Sequence, residues 1–176
     1  MERDINEIAE KLFYIQNSFP MKVFRKKGQI LFNDFYLMLD EEVWPQLQYL
    51  AKMNGDTNIQ IADISQFKKR LWKPERKGKI FSIPISMNAN DYINILDEKG
   101  IIVESEKVIW FSSSANWGIW AERSWDISAL FIRLNTNDFY DWVSLNEDII
   151  ELIQDKKVRG KKDENIEILR SNYICE

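Results

Sequence analysis

Residues 117–132 read WGIWAERSWDISALFI, and this stretch decides the fold. Positions 117, 119 and 121 carry Trp, Ile and Ala, and they alternate with Gly118, Trp120 and Glu122. This two-residue period is typical of a β-strand. After a short turn at residues 122–124, a second alternating run leads from Trp125 to residue 132, where it becomes apolar on both faces. We therefore predict a β-hairpin with a buried second strand, Trp125 in the core and a more exposed turn at residues 120–124.

Hydrophobic periodicity outside the hairpin predicts an alternation of helices and short strands. Helices are predicted over residues 4–16, 44–54, 88–100 and 135–156, with Asn135 and Asn137 as caps of the last. Strands are predicted over residues 21–24, 29–32, 35–39, 59–64, 80–86, 101–104, 108–112 and 166–169. Because most connections are too short for crossovers, this order favours an α+β fold, a mainly antiparallel sheet with helices packed on one face.

The length of 176 residues fits one domain over residues 1–176, with residues 157–176 as a candidate for a loosely attached tail. The N-terminus has no apolar segment of the signal-peptide type, and no run approaches the ~18 apolar residues of a membrane span. Cys175 is the only cysteine, so an intrachain disulfide is impossible. We expect a cytoplasmic protein without membrane contact, and its oligomeric state stays open.

Several catalytic chemistries are excluded by the residues that the chain lacks. It has no histidine, which removes Ser-His-Asp and Cys-His mechanisms and imidazole-dependent zinc sites. With one cysteine it cannot form a thiolate cluster. The two glycine-rich motifs that bind nucleotide phosphates, Gly-x-x-x-x-Gly-Lys-[Ser/Thr] and Gly-x-Gly-x-x-Gly, are both absent from the sequence. We therefore expect no cofactor and no metal, and we expect a protein that is not an enzyme.

The catalytic alternative is a small hydrolase that uses paired carboxylates on carbohydrate. Glu122 and Asp126 flank the hairpin turn, and Glu104 lies on a nearby predicted strand. The tryptophans of the hairpin could stack on a sugar ring. The competing interpretation is that both carboxylates are ordinary turn charges with Arg123 as their partner.

The charge of the chain is unevenly distributed. Residues 67–79 contain seven Lys or Arg against Glu75 alone, a local charge of +6 in a chain of net charge −4. Lys69, Arg70 and Trp72 combine cations with an aromatic ring, as single-strand nucleic-acid sites do. The pI of about 5.1 speaks against nucleic acid. The alternatives are a binder of anions and a solvated loop, and a second basic segment covers residues 156–162.

The phrase FSSSANWGIWAERSWDI, residues 111–127, resembles a hairpin found in small bacterial proteins, many of them similar to immunity proteins of polymorphic toxin systems. In those proteins a serine-containing turn precedes Trp-Gly-Ile, and an acidic-basic turn leads into the second strand. The resemblance implies a cytoplasmic α+β protein that blocks a cognate toxin by binding it, with no catalysis of its own. The resemblance does not assign a binding role to any residue of this chain.

Protein binding is thus the function that we expect, with a toxin as the partner that the resemblance implies. Large aromatic side chains and arginines anchor protein interfaces. The candidate contacts are Trp120, Glu122, Arg123 and Asp126 of the hairpin, and Lys69, Arg70 and Trp72 of the basic loop.

Overall fold

The structure, a computed structural model, describes residues 5–65, 80–133, 139–155 and 163–174. Its centre is a six-stranded sheet in the order β1-β6-β5-β4-β2-β3, and every neighbouring pair is antiparallel. The strands are β1 (Gln29–Asp34), β2 (Asn58–Asp63), β3 (Ile80–Pro84), β4 (Lys107–Phe111), β5 (Trp117–Glu122) and β6 (Ile127–Ile132). The predicted α+β class with an antiparallel sheet is confirmed.

The predicted hairpin is present at the middle of the sheet. Strands β5 and β6 pair from Trp117 opposite Ile132 to Glu122 opposite Ile127. Their connection is a 3₁₀ helix, Arg123–Trp125, and Asp126 closes it with a φ of 53°. Every residue of both strands is buried, because β4 and β1 flank the hairpin and each face is covered.

Helices cover both faces of the sheet, which differs from the expected packing on one face. The first face carries a 3₁₀ helix (Phe35–Leu39), α2 (Val43–Met53), α3 (Ala89–Glu98) and α4 (Ile101–Glu104). The second face carries α1 (Ile5–Leu12), α5 (Glu147–Asp155), α6 (Asp163–Tyr173) and the segment of residues 19–24. Because side chains alternate along β5 and β6, successive residues pack into two separate hydrophobic cores, one on each face of the sheet.

Gly118 marks the place where α1 approaches the second face. A Cβ atom at this position would lie 2.5 Å from Leu12 Cδ2 and 2.7 Å from Phe13 Cζ. A glycine inside a strand often allows such a close approach. The missing side chain lets the end of α1 press against β5, and this contact covers the face that holds Trp120.

Three predicted strands are helical instead. Residues 35–39 form a 3₁₀ helix because the Asp34 carboxylate accepts the Tyr36 N–H at 2.6 Å and starts a helical turn. Residues 101–104 form α4 after Gly100, whose φ is 73°. Residues 166–169 lie within α6, where a helical spacing buries Ile166, Leu169 and Tyr173. These three residues of α6 thus belong to the core of the second face.

The predicted strand at residues 21–24 is reduced to one bridge between Phe24 and Phe13. The last predicted helix also begins later than expected, since α5 starts at Glu147. The Asn146 carboxamide accepts the Ile149 N–H at 3.0 Å and caps this helix. Residues 139–145 are not helical, and Val143 forms a bridge with Phe32 of β1. The expected caps Asn135 and Asn137 lie outside the described residues.

The remaining predicted elements are confirmed with small changes of boundary. Helix α2 contains Pro45 in its first turn and is followed by Gly55 with a φ of 70°. The Asn88 side chain accepts the Asp91 N–H at 2.8 Å and caps α3. Strand β3 is an edge strand, as Pro84 predicts.

Among the described residues, none of the helices has the length and apolar character that a membrane span requires.

Candidate functional site

Two of the predicted contact residues are core residues. Trp120 is fully buried on the second face, where its ring centroid lies 6.1 Å from that of Phe13. Glu122 is only 3% exposed. The exposure expected of residues 120–122 is therefore wrong, because α1 and the segment of residues 19–24 cover this end of the hairpin. Trp125 is buried in the same core, as predicted.

The Glu122 carboxylate is held by donors from inside the protein. It accepts the Phe19 N–H at 3.0 Å, the Trp120 Nε1–H at 3.3 Å and the Ser124 hydroxyl at 3.2 Å. A buried carboxylate needs such bonds to offset the loss of its hydration. The Glu122 carboxylate thus holds the segment that begins at Phe19 against the hairpin. Because Glu122 is buried, it has little surface that a substrate could contact.

Tyr173 continues this buried polar network on the second face. Burial raises the pKa of its hydroxyl. A hydrogen bond from the Val23 N–H lowers this pKa, and the neighbouring charge of Glu122 raises it. The hydroxyl thus stays protonated and donates to the Met21 carbonyl at 2.8 Å. The same oxygen accepts the Val23 N–H at 2.9 Å. Tyr173 therefore links α6 to the segment of residues 19–24.

Arg123 is half-buried, and its guanidinium is bound to backbone. It donates from Nη2 to the Ile102 carbonyl at 2.7 Å and from Nε to the Ser105 carbonyl at 3.1 Å. The same group lies 4.8 Å from the centre of the Phe35 ring. Because the carbonyls of a helix end lack partners in the helix, Arg123 serves as a cap for α4.

Asp126 is half-buried at the end of the turn, and its backbone carbonyl accepts the Phe35 N–H at 3.1 Å. Its φ of 53° is a conformation that Asp tolerates better than most residues. The structure thus brings Arg123 and Asp126 together at the turn but buries Trp120 and Glu122. The predicted contacts Lys69, Arg70 and Trp72, with the basic loop of residues 67–79, lie outside the described residues.

A buried aspartate holds the serine-rich connection between β4 and β5. The Asp56 carboxylate accepts hydrogen bonds from the hydroxyls of Ser112, Ser113 and Ser114, with oxygen–oxygen distances of 2.6, 3.1 and 2.7 Å. It also accepts the Ser114 N–H at 3.0 Å. Four donors on one carboxylate make a tight loop anchor. We call residues 112–116 the serine loop, because three of its hydroxyls donate to this one carboxylate.

Asp56→Asn should lower the free energy of unfolding by roughly 1–3 kcal/mol, since an amide cannot replace a carboxylate that accepts four hydrogen bonds. Urea unfolding followed by tryptophan fluorescence measures the change. Asp97→Asn is the matched control, because Asp97 is exposed on α3, and its effect should stay within about 0.5 kcal/mol. Equal stability of the two variants would refute the anchoring role of Asp56.

An exposed aromatic cluster lies where residues 139–143 contact α2. It is formed by Tyr49, Phe139 and Tyr140, and it includes Met53, which lies one helical turn after Tyr49 on α2. The Tyr49 ring centroid is 6.2 Å from that of Phe139 and 6.4 Å from that of Tyr140, and the latter two are 5.1 Å apart. Tyr49, Met53 and Tyr140 are 47%, 49% and 56% exposed, while Phe139 is buried beneath them. Adjacent rings in water are typical of protein-binding surfaces.

The backbone under this cluster is strained. Tyr140 has a φ of 48°, which costs a residue with a bulky side chain about 1–3 kcal/mol. The position is held by neighbouring contacts, because the Trp142 Nε1–H donates to Gln46 Oε1 at 2.9 Å. The segment also meets β1 through the Asn33 side chain, which donates to the Asp141 carbonyl at 3.1 Å. These bonds present the Tyr140 ring to solvent beside Tyr49.

This cluster was not among the predicted contact residues. One signal was present, because Tyr49 and Met53 are large apolar residues that lie off the buried stripe of α2. Large apolar side chains on the outer face of a helix indicate a binding surface. Nothing in the sequence indicated that Tyr140 would fold against them, since residues 139–143 were predicted to be helical.

The described residues hold no group of three or more His, Cys, Asp or Glu side chains that could bind a metal ion. Comparison of the chain with family models, with curated proteins and with solved structures gives no match in any of the three.

Proposed function

We propose that the protein acts without catalysis, by binding another protein, and that this partner is a bacterial toxin which it inhibits. The observation that carries the binding proposal is the exposed aromatic cluster of Tyr49, Met53, Phe139 and Tyr140. The resemblance of residues 111–127 to immunity-type proteins supplies the class of partner.

The chemistry of the cluster suits a protein partner. Tyrosine offers a large apolar ring and a hydroxyl at a low cost in side-chain entropy, because only two torsion angles are fixed on binding. Tyr49 and Tyr140 are already in ring contact, so they are partly ordered before a partner arrives. The strained backbone at Tyr140 is the kind of cost that a functional surface retains.

Of the carboxylates proposed for catalysis, Glu122 has a structural role. Glu122 and Asp56 are buried and bound by several internal donors, and Arg123 caps α4. A catalytic carboxylate needs to reach the substrate within hydrogen-bond distance. The two buried carboxylates offer no such reach, which favours binding over hydrolysis.

The proposal predicts that the gene lies next to a larger reading frame with a toxin-like sequence. Expression of that neighbour in a bacterial host should stop growth, and co-expression of this protein should restore it. A double variant, Tyr49→Ala with Tyr140→Ala, should restore growth poorly at equal protein level, because each substitution removes an exposed ring of the cluster.

Tyr36→Ala is the matched control, since Tyr36 is 49% exposed like Tyr49 but lies beside Arg123 at the hairpin turn. This variant should protect the host as well as the unchanged protein does. No protection by the unchanged protein would refute the proposed function. Full protection by the double variant would refute only the choice of surface.

A further inference from the structure

Two cations meet at one end of the sheet, at the end opposite to the hairpin turn. Lys26 lies in the turn before β1, and Arg133 directly follows β6. Because Gln29 pairs with Ile132, the two residues lie close to each other. Exposed Arg25 and Lys27 belong to the same turn and add two further charges.

Both cations are anchored on the serine loop. Lys26 Nζ donates to the Ala115 carbonyl at 2.5 Å. Arg133 Nη1 donates to Asn116 Oδ1 at 3.3 Å, and its backbone N–H donates to the Asn116 carbonyl at 2.9 Å. The attachment to consecutive residues, Ala115 and Asn116, fixes the relative position of the two side chains. The loop itself is held from its other side by Asp56.

The pair has no counter-charge in the part of the chain that the structure describes. No carboxylate there lies within ion-pair distance of Lys26 or Arg133. Asp56, the buried carboxylate that holds the serine loop, is occupied by serine donors. Burial lowers the pKa of Lys26, and the charge of Arg133 lowers it further. Two cations held together in this way repel each other, and a bound anion would relieve the repulsion.

We propose that Lys26 and Arg133 form a binding site for a phosphate-type oxyanion. An arginine offers planar N–H groups that match phosphate oxygens, and a lysine adds a mobile point charge. Arg133 is exposed and uses Nη1 on Asn116, which leaves its other terminal nitrogen for a ligand. The anion could be free phosphate or the phosphate of a nucleic-acid backbone, since the recognising chemistry is the same. The site is separate from the aromatic cluster and independent of the proposed function.

The test is a titration of the full chain with inorganic phosphate in chloride buffer, followed by amide chemical shifts of residues 114–116, 26 and 133. Saturable binding is expected, with shifts confined to these residues. Lys26→Gln and Arg133→Gln should each weaken it about tenfold or more, because each removes a charged hydrogen-bond donor. Lys52→Gln, an exposed lysine of α2, is the matched control and should leave phosphate binding unchanged.

A second arm uses a short single-stranded oligonucleotide. Displacement of the oligonucleotide by phosphate would assign the site to backbone phosphates, whereas phosphate binding alone would assign it to a free anion. Oligonucleotide binding without phosphate binding supports the backbone assignment only if both substitutions abolish it. The proposal is overturned if neither ligand binds saturably, or if the binding survives both substitutions. Unchanged amide spectra of the two variants away from residues 114–116, 26 and 133 verify that each is folded.

Discussion

Trp120→Ala should lower the free energy of unfolding by roughly 3–5 kcal/mol, the range for removing a large aromatic ring from a packed core. Trp120 is fully buried, contacts Phe13 and lies between β4 and β6 in the sheet. Its loss leaves a cavity under α1 and removes the Nε1–H donor of Glu122. Had Trp120 been an exposed contact residue, as the sequence predicted, the substitution would change stability little.

Urea unfolding at equilibrium measures the change, with the slope of the transition compared between variants. Trp120→Phe is the informative partner variant, because it keeps most of the ring volume but not the donor to Glu122. It should cost about 1–3 kcal/mol, less than the alanine variant. A change below about 1 kcal/mol for Trp120→Ala would contradict the core position of this residue.

Trp120 is buried because it lies within β5 rather than in the turn, and because the second face of the sheet is also covered. The alternation of residues 117–122 was interpreted correctly, but helices were expected on one face of the sheet only. Under that assumption the face of Trp120 and Glu122 is left open to solvent. Gly118 is the signal in the sequence that predicts this cover, because a glycine within a strand allows another segment to approach closely. Here that segment is the end of α1.

Short apolar segments account for most of the errors in secondary structure. Residues 35–39 and 101–104 contain few residues, and both strands and helices can accommodate them. Their state is decided by neighbours, since Asp34 caps one and Arg123 caps the other. The longer elements with capping signals, α2 and α3, could be predicted because their residues specify both start and end.

The candidate site was less predictable than the fold. The aromatic cluster joins α2 to a segment about 90 residues further along the chain, and its geometry depends on the left-handed backbone of Tyr140. A tyrosine rarely adopts this conformation, so the local sequence does not predict it. The serine loop is the opposite case, because its serines were visible in the sequence but their acceptor, Asp56, lies far away along the chain.

The largest effect on binding is expected from the aromatic cluster. The double variant of Tyr49→Ala and Tyr140→Ala should weaken the affinity for the partner by roughly 30- to 1000-fold, or about 2–4 kcal/mol. Interface tyrosines that are buried on binding lose contact area that alanine cannot replace. The double variant should remain stable, because both side chains are exposed in the unbound protein and neither hydroxyl makes a hydrogen bond that the structure records among its described residues.

The most direct test of the binding account is a calorimetric titration of the partner from the neighbouring reading frame against the unchanged protein, the double variant and Tyr36→Ala. The account predicts a loss of about 30-fold or more for the double variant and a change within about threefold for Tyr36→Ala. The reverse result, with affinity lost at Tyr36 beside the hairpin turn and kept without Tyr49 and Tyr140, would contradict it.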